Sequence, residues 1–432
     1  MKKFLVVLIA LLFAGSAFAQ DAAPKGPEFK YGVWANAMGL TINNAEKDKY
    51  QDASHIRVRP TFTMGVENVS VVTGFEINQF FGKNGTEATY ADPDGDQFAV
   101  QVKWVFINVK DFIIPGLSAK AGLAPYVYSV GYNNDMPQFN LVYDAGLAKL
   151  DLAFVKAEEN ETVEETSTTK DKDDIAMYSA KLPITAGMVT ITPAVLFAKG
   201  EKDRSAVDLS TLTTNDEIVN AIGIQGEFTK TMPSIALDVN AGAFTFKADF
   251  VYIMGENKSY DVDYKAYAGY LNAGFKASDA LSVNIFGLYA TGEGDKEDEL
   301  NSFNAASGDE VEVGPMFIIN DGAYITQTGL VGADEFDKSN SGIMSCGLIV
   351  NFKADKFSAL AQVAYAKTAS DELVKDTAIG TEFDLRLSYE VGPKTSFWVE
   401  GAYLKAGDYV ETVNGGDCQD PMYYAAGIVT SI

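Results

Sequence analysis

From residue 28 onward, aromatic or aliphatic side chains alternate with polar ones in segments of about ten residues. In Thr381 to Glu390, Phe383, Leu385, Leu387 and Tyr389 fall on one face of an extended strand. Glu382, Asp384, Arg386, Ser388 and Glu390 fall on the other, because successive strand side chains point to opposite sides. Residues 54–67 repeat the device, with Ile56, Val58, Phe62 and Met64 opposite His55, Arg57, Arg59, Thr61 and Thr63. Phe244, Phe246, Phe250 and Tyr252 oppose Lys247 and Asp249, and Phe98, Val100, Val102, Trp104 and Phe106 oppose Gln101 and Lys103. Alternation alone does not separate a membrane barrel from a soluble sandwich, since both bury one face of each strand.

The connections discriminate better. Short links fall near 66–69, 109–116, 146–148, 184–187, 241–243, 277–280, 354–356 and 391–394. Longer, acidic links fall near 43–53, 82–96, 129–138, 158–174, 200–217, 256–262, 292–341, 369–378 and 407–420. This rhythm predicts an all-β, closed antiparallel transmembrane β-barrel of about 18 strands, with short periplasmic turns, long external loops and an apolar lipid-facing stripe. Closure satisfies every backbone group in lipid, which an open sheet could not do. Between 200 and 241 the pattern is weakest. Ile218 to Phe228 reads either as a strand or as loop before a strand at Ile235 to Ala241, so 16 strands stay open.

Residues 1–19 read as a cleaved signal peptide: Lys2 and Lys3, an apolar run from Phe4 to Phe13, and Ala17-Phe18-Ala19 before Gln20. Residues 20–27 are then a short periplasmic segment and 28–432 a single barrel domain. The chain of 432 residues is 47% hydrophobic and 22% charged, with a formal net charge of -25, so a nucleic-acid partner lacks its basic footprint. One histidine and two cysteines cannot build the common zinc clusters, and no CxxCH offers haem attachment, so no metal or cofactor is expected. Catalysis is not expected either. His55 is the only imidazole, its neighbour Ser54 points to the opposite face, and no GxSxG elbow occurs.

The signal segment, the strand rhythm and the terminal strand Met422 to Ile432 together resemble a Gram-negative outer-membrane porin. That resemblance implies passage of small solutes or ions through a barrel embedded in outer-membrane lipid and lipopolysaccharide, and it is compatible with a homo-oligomer. Phe244 to Tyr252, Leu288 to Asp295 and His55 to Arg59 are, more weakly, similar to the alginate-export-like 18-stranded barrels. An arginine-rich lumen suited to a polyuronate is not matched, as the chain has only Arg57, Arg59, Arg204 and Arg386.

The pore-lining candidates are Arg57, Arg59, Glu76, Lys103, Lys247, Asp249, Glu382, Asp384, Arg386, Glu390 and Glu400, a mixed-sign wall able to sort solutes by charge and dipole. Loop 292–341 carries the apolar pieces Met316 to Ile319 and Tyr324 to Ile325, which suit a fold-in that narrows the mouth, an external lid or a protomer contact. Asp92, Asp94 and Asp96 alternate as calcium ligands do, but Gln97 and Lys103 stand where an EF-hand needs Gly and Glu. The denser acidic run from Glu158 to Asp174 reads as a solvated loop, with loose divalent bridging to lipopolysaccharide as its alternative. Cys346 and Cys418 could pair only if loop 407–420 folds over the mouth.

The nine long links hold 42 acidic and 11 basic residues, which places the acidity outside the membrane. The function expected is a passive porin for ions and small hydrophilic solutes, with a mild cation preference that weakens with salt. The alternatives are a non-transport scaffold or barrel sleeve with a filled lumen, and a substrate-specific, polysaccharide-type export channel.

Overall fold

The computed structural model describes residues 26–43, 50–82, 100–158, 174–200, 212, 215–294, 298–307, 315–319, 340–371, 375, 377–413 and 420–432. The leader 1–19, the acidic triad at 92–96, most of 158–174, Tyr324 to Ile325 and Cys418 lie outside these residues.

The wall strands run in chain order. They are β1 (Glu28–Asn43), β2 (Tyr50–Val66), β3 (Val69–Gly82), β4 (Val100–Val109), β5 (Leu117–Tyr128), β6 (Tyr132–Asp144) and β7 (Lys149–Glu158). β8 is one strand in two pieces, Ile175–Lys181 and Ile184–Ala186, both paired with β9 (Val189–Gly200) and split at Leu182 and Pro183. Then come β10 (Phe228–Ala241), β11 (Phe244–Asn257), β12 (Val262–Lys276), β13 (Leu281–Ala290), β14 (Ile343–Ala354), β15 (Phe357–Lys367), β16 (Ala378–Gly392), β17 (Thr395–Ala406) and β18 (Met422–Ser431). Each pairs antiparallel with its neighbours, and β18 pairs with both β17 and β1, closing an 18-stranded barrel. The short piece Glu299–Leu300 adds in parallel to β12 and is no wall strand.

The weakest stretch of the sequence is resolved by a helix. Asn215–Ile224 forms α1, in which Val219 is buried and Ile218 and Ile222 are half-buried. β10 begins after it at Phe228. Two shorter helices, α2 (Phe303–Ser307) and α3 (Asp408–Val413), belong to external connections. No helix among the described residues is long and apolar enough to cross a membrane.

Outward positions are apolar and exposed, among them Phe62, Met64, Ile235, Phe250, Ile285, Phe383, Leu385 and Ile428. In a soluble protein so large an apolar surface would be a liability; against hydrocarbon it is the required solvent face. The external link expected over 256–262 is only the turn 258–261 between β11 and β12. The one expected over 129–138 is almost entirely strand, interrupted by a single 3-10 turn at Ser129–Gly131.

Candidate functional site

The β2–β8 side of the lumen carries charge. Arg57 and Arg59 lie on one face of β2, with Arg57 Nε 3.5 Å from Glu76 Oε2 on β3 and Arg59 Nε bonded to the same oxygen. The Arg59 guanidinium also sits 5.6 Å from the Trp34 ring centre. His55 is buried on the same face, its Nε2 2.5 Å from Asn78 Oδ1, while Ser54 is exposed on the opposite face.

On β4 the face assignment read from simple alternation fails locally. The register shifts between Gly74 and Phe75, so that Val102 and Trp104 pair consecutively with β3 and Lys103 is the extra residue. Trp104 therefore packs its ring over Gly74, in the space a Cβ would fill. Both Lys103 and Trp104 reach one carboxylate on β6: Lys103 Nζ is 2.7 Å from Asp135 Oδ2, and Trp104 Nε1 donates to Asp135 Oδ1 at 2.6 Å.

The paired end of β5 and β6 leaves the wall and enters the lumen. β5 and β6 pair along their whole length, to Tyr128 opposite Tyr132. The β4–β5 ladder, however, stops at Val105 opposite Leu123, and the β6–β7 ladder at Gln138 opposite Val155. Gly122 sits at the departure point with φ of +130°, and a Cβ there would strike the Val105 carbonyl, so both conformation and space call for glycine. The tip is fastened to strands well round the barrel. Tyr128 OH donates to the Met232 carbonyl on β10, Ser129 Oγ donates to Asp249 Oδ1 on β11 at 2.8 Å, and Lys181 Nζ of β8 donates to the Val127 carbonyl. Beneath the hairpin lies a cavity of about 460 Å³ lined in part by Lys120, Lys181, Asp151, Asn140, Phe106 and Tyr126. The sequence signal for Lys120 and Lys181 is only their place on the polar faces of β5 and β8.

A second in-folded element comes from loop 292–341. Met316, Phe317, Ile318 and Ile319 are almost wholly buried. Ile318 N and Ile319 N donate to Glu382 Oε1 and Oε2 at 2.6 and 2.8 Å, and Phe317 N donates to Asp384 Oδ2 at 3.3 Å. Gln362 Nε2 bridges the Pro315 carbonyl and Asp384 Oδ2, at 2.5 and 2.7 Å. Arg386 stacks its guanidinium 4.6 Å from the Phe317 ring centre and donates through Nε to Glu400 Oε2 at 2.6 Å, while Tyr423 OH donates to Glu400 Oε1 at 2.6 Å. Of the remaining candidates, Lys247 shares the inward face of β11 with Asp249, and Glu390 is exposed next to the 393–394 turn.

The segment after β13 uses the same chemistry outside the membrane. Glu293 Oε2 accepts from Asn301 N and Ser302 N at 3.2 and 3.1 Å. Burial holds its carboxyl above the ordinary carboxylate range against the opposing pull of those amides. Cys346 is a free thiol exposed on the outer face of β14.

The family model of the Porin subfamily matches residues 127–385. No curated protein matches the sequence. The fold is similar to Pseudomonas aeruginosa OccK9 (OpdG), at 11% identity and a TM-score of 0.53 over 94% of this chain and 98% of that one. It is similar also to Pseudomonas aeruginosa OccK3 (OpdO), at 10% identity and 0.51 over 94% and 96%, and to Pseudomonas aeruginosa OpdK solved with vanillate, at 11% identity and 0.52 over 93% and 98%.

Proposed function

Because this chain belongs to the porin family, whose model spans more than half of it, we propose that its barrel is a passive diffusion pathway for ions and small hydrophilic solutes, narrowed by two elements folded into the lumen. It is a channel protein of the outer membrane, not an enzyme. The observation that carries the finer reading is the pair of tethers. The β5–β6 hairpin crosses from its own wall to β10 and β11, and residues 315–319 cover the β15–β16 wall. Solutes then pass between a mixed-sign surface (Arg57, Arg59, Glu76, Lys103 with Asp135) and Arg386 with Glu400. The long links carry most of the acid of the sequence, and acid gathered at the mouth would concentrate cations at low ionic strength and lose this effect as salt screens it.

Purified protein in a planar bilayer tests this. Stepwise conductance is expected, with a reversal potential under a potassium chloride gradient that favours the cation mildly and less so at higher salt. A well-folded barrel that never conducts would leave the sleeve or scaffold reading standing. Strong selectivity independent of salt would place the filter in the wall.

One observation favours a more selective variant of this function. The cavity under the hairpin sets the cations of Lys120 and Lys181 beside the rings of Phe106 and Tyr126, with Lys120 Nζ 5.8 Å from the Phe106 ring centre and Lys181 Nζ 5.3 Å from that of Tyr126. Such a pairing suits an aromatic carboxylate, the class to which the vanillate of the OpdK structure belongs. Saturable block of the current by vanillate, lost in Lys181→Met, would favour this variant.

A further inference from the structure

A cavity of about 580 Å³ lies inside the barrel on the side of the short turns, against the β10–β16 wall. Its chemistry differs from that of the charged wall. Asn240, Thr245, Gly274 and Asn284 are successive cross-strand neighbours, a continuous row over β10, β11, β12 and β13. Ser282 faces Asn351 across the next pair, and Ser388 also lines the cavity. At the middle of the row the Thr245 hydroxyl and the Asn284 amide oxygen converge on the space that a Cβ of Gly274 would fill, so the missing side chain draws two polar groups together.

The cations around the cavity are drawn to partners or stand at its edge. Lys276 Nζ is 2.7 Å from Asp279 Oδ1, Arg386 Nε is 2.6 Å from Glu400 Oε2, and Lys353 is exposed beside the 355–356 turn. The polar part of the surface left to a solute is therefore mainly amides and hydroxyls, set beside the apolar side chain of Leu360. Each amide offers donors and acceptors together, and each hydroxyl can act as either. A sugar or polyol presents the matching array, since every one of its hydroxyls also donates and accepts. A simple ion finds no countercharge in the row, and an apolar solute would strand its polar groups.

We propose that this row is a binding track for uncharged, polyhydroxylated solutes on the periplasmic side of the in-folded elements. The inference rests on the channel reading and adds a solute class to it. Binding on such a track is weak, as transit requires that a site be left as readily as it is entered.

The full-length protein in a planar bilayer, exposed to glucose on the side of the short turns, tests the track. Poly(ethylene glycol) of equal size and sodium gluconate serve as comparisons. Glucose is expected to reduce the current saturably with a dissociation constant on the order of millimolar, while the polymer lowers it only in proportion to viscosity. Asn284→Leu and Asn351→Leu should each weaken glucose by roughly two- to tenfold and leave the polymer effect unchanged. Should either leucine variant fail to assemble, Ser282→Ala and Ser388→Ala carry the same comparison. A conducting channel on which glucose acts like the polymer overturns the track and leaves the channel reading intact. Gluconate binding more tightly than glucose, in a salt-dependent manner, overturns the neutral class. A protein that never conducts sinks the channel reading and the track with it.

Discussion

Two segments enter the lumen, and they are held there by different means. The β5–β6 hairpin brings its own backbone hydrogen bonds, paired from Leu117 opposite Tyr143 to Tyr128 opposite Tyr132. It needs only side-chain anchors: Asp135 along its length, Tyr128 and Ser129 at its tip, and Lys181 on the Val127 carbonyl. Residues 315–319 have no ladder, so their amides would be orphaned in a buried setting, and wall carboxylates act as the missing acceptors. A hairpin can therefore move as a unit, whereas a coil segment is bound to particular side chains of the wall. The coil also explains why acidic residues stand at nearly dry positions of β16: Glu382 and Asp384 are 0% and 5% exposed.

The largest effect is expected from Glu382→Leu. It removes both acceptors of Ile318 N and Ile319 N, and each buried amide left without a partner costs about 1–3 kcal/mol. The segment should leave the wall, raising single-channel conductance severalfold and lowering the thermal midpoint of the folded barrel. Glu382→Gln keeps one acceptor and should fall between. Unchanged conductance in the leucine variant would mean that residues 315–319 do not bound the passage.

How far these two elements were legible in the sequence follows from the same contrast. Alternation in 54–67, 244–252 and 381–390 marks inward and outward faces because the register shifts of β16, at 379 and 391, fall just outside the alternating stretch and the other two stretches have none, and the structure keeps those faces. Met316 to Ile319 stand out in the sequence because apolar residues interrupt a polar loop, which points to burial. The hairpin leaves no such mark. Its two strands alternate like any wall strands, and what bends them inward is one left-handed glycine, Gly122, whose φ no periodicity reports. Simple alternation sets Trp104 and Phe106 opposite Gln101 and Lys103 for a related reason. A single extra residue, Lys103, reverses the faces beyond it, and a bulge leaves no mark in the pattern until its partner strand is known.

The second-largest effect tests the hairpin. Gly122→Ala demands a positive φ of a residue with a Cβ and drives that Cβ against the Val105 carbonyl, a strain of order 1–3 kcal/mol. The hairpin base should straighten toward the wall, seen as larger and noisier conductance. Asp135→Asn is gentler: it loses the ion pair to Lys103 but keeps an acceptor for Trp104 Nε1, so open-channel noise should rise with little change in mean conductance. If Asp135→Asn proved the more disruptive of the two, the anchor rather than the glycine would set the bend.

The smallest effect separates the two means of attachment by pH. Glu293 fixes a coil outside the membrane as Glu382 does inside it, by accepting the amides of Asn301 and Ser302. Burial raises its carboxyl pKa above the ordinary value, so the docked segment holds the proton more tightly than the undocked one. Docking is then favoured below the ordinary carboxylate pKa. It weakens as pH rises from there through the raised value, because the ionised form must be kept in a poorly solvated place. Hydrogen exchange at Asn301 and Ser302, corrected for its intrinsic pH dependence, should show protection declining over that window, and Glu293→Gln should flatten the profile. The tip of the hairpin, held partly by the Tyr128 hydroxyl on a backbone carbonyl, offers an internal comparison: its exchange should follow Glu293 only if the two attachments are coupled.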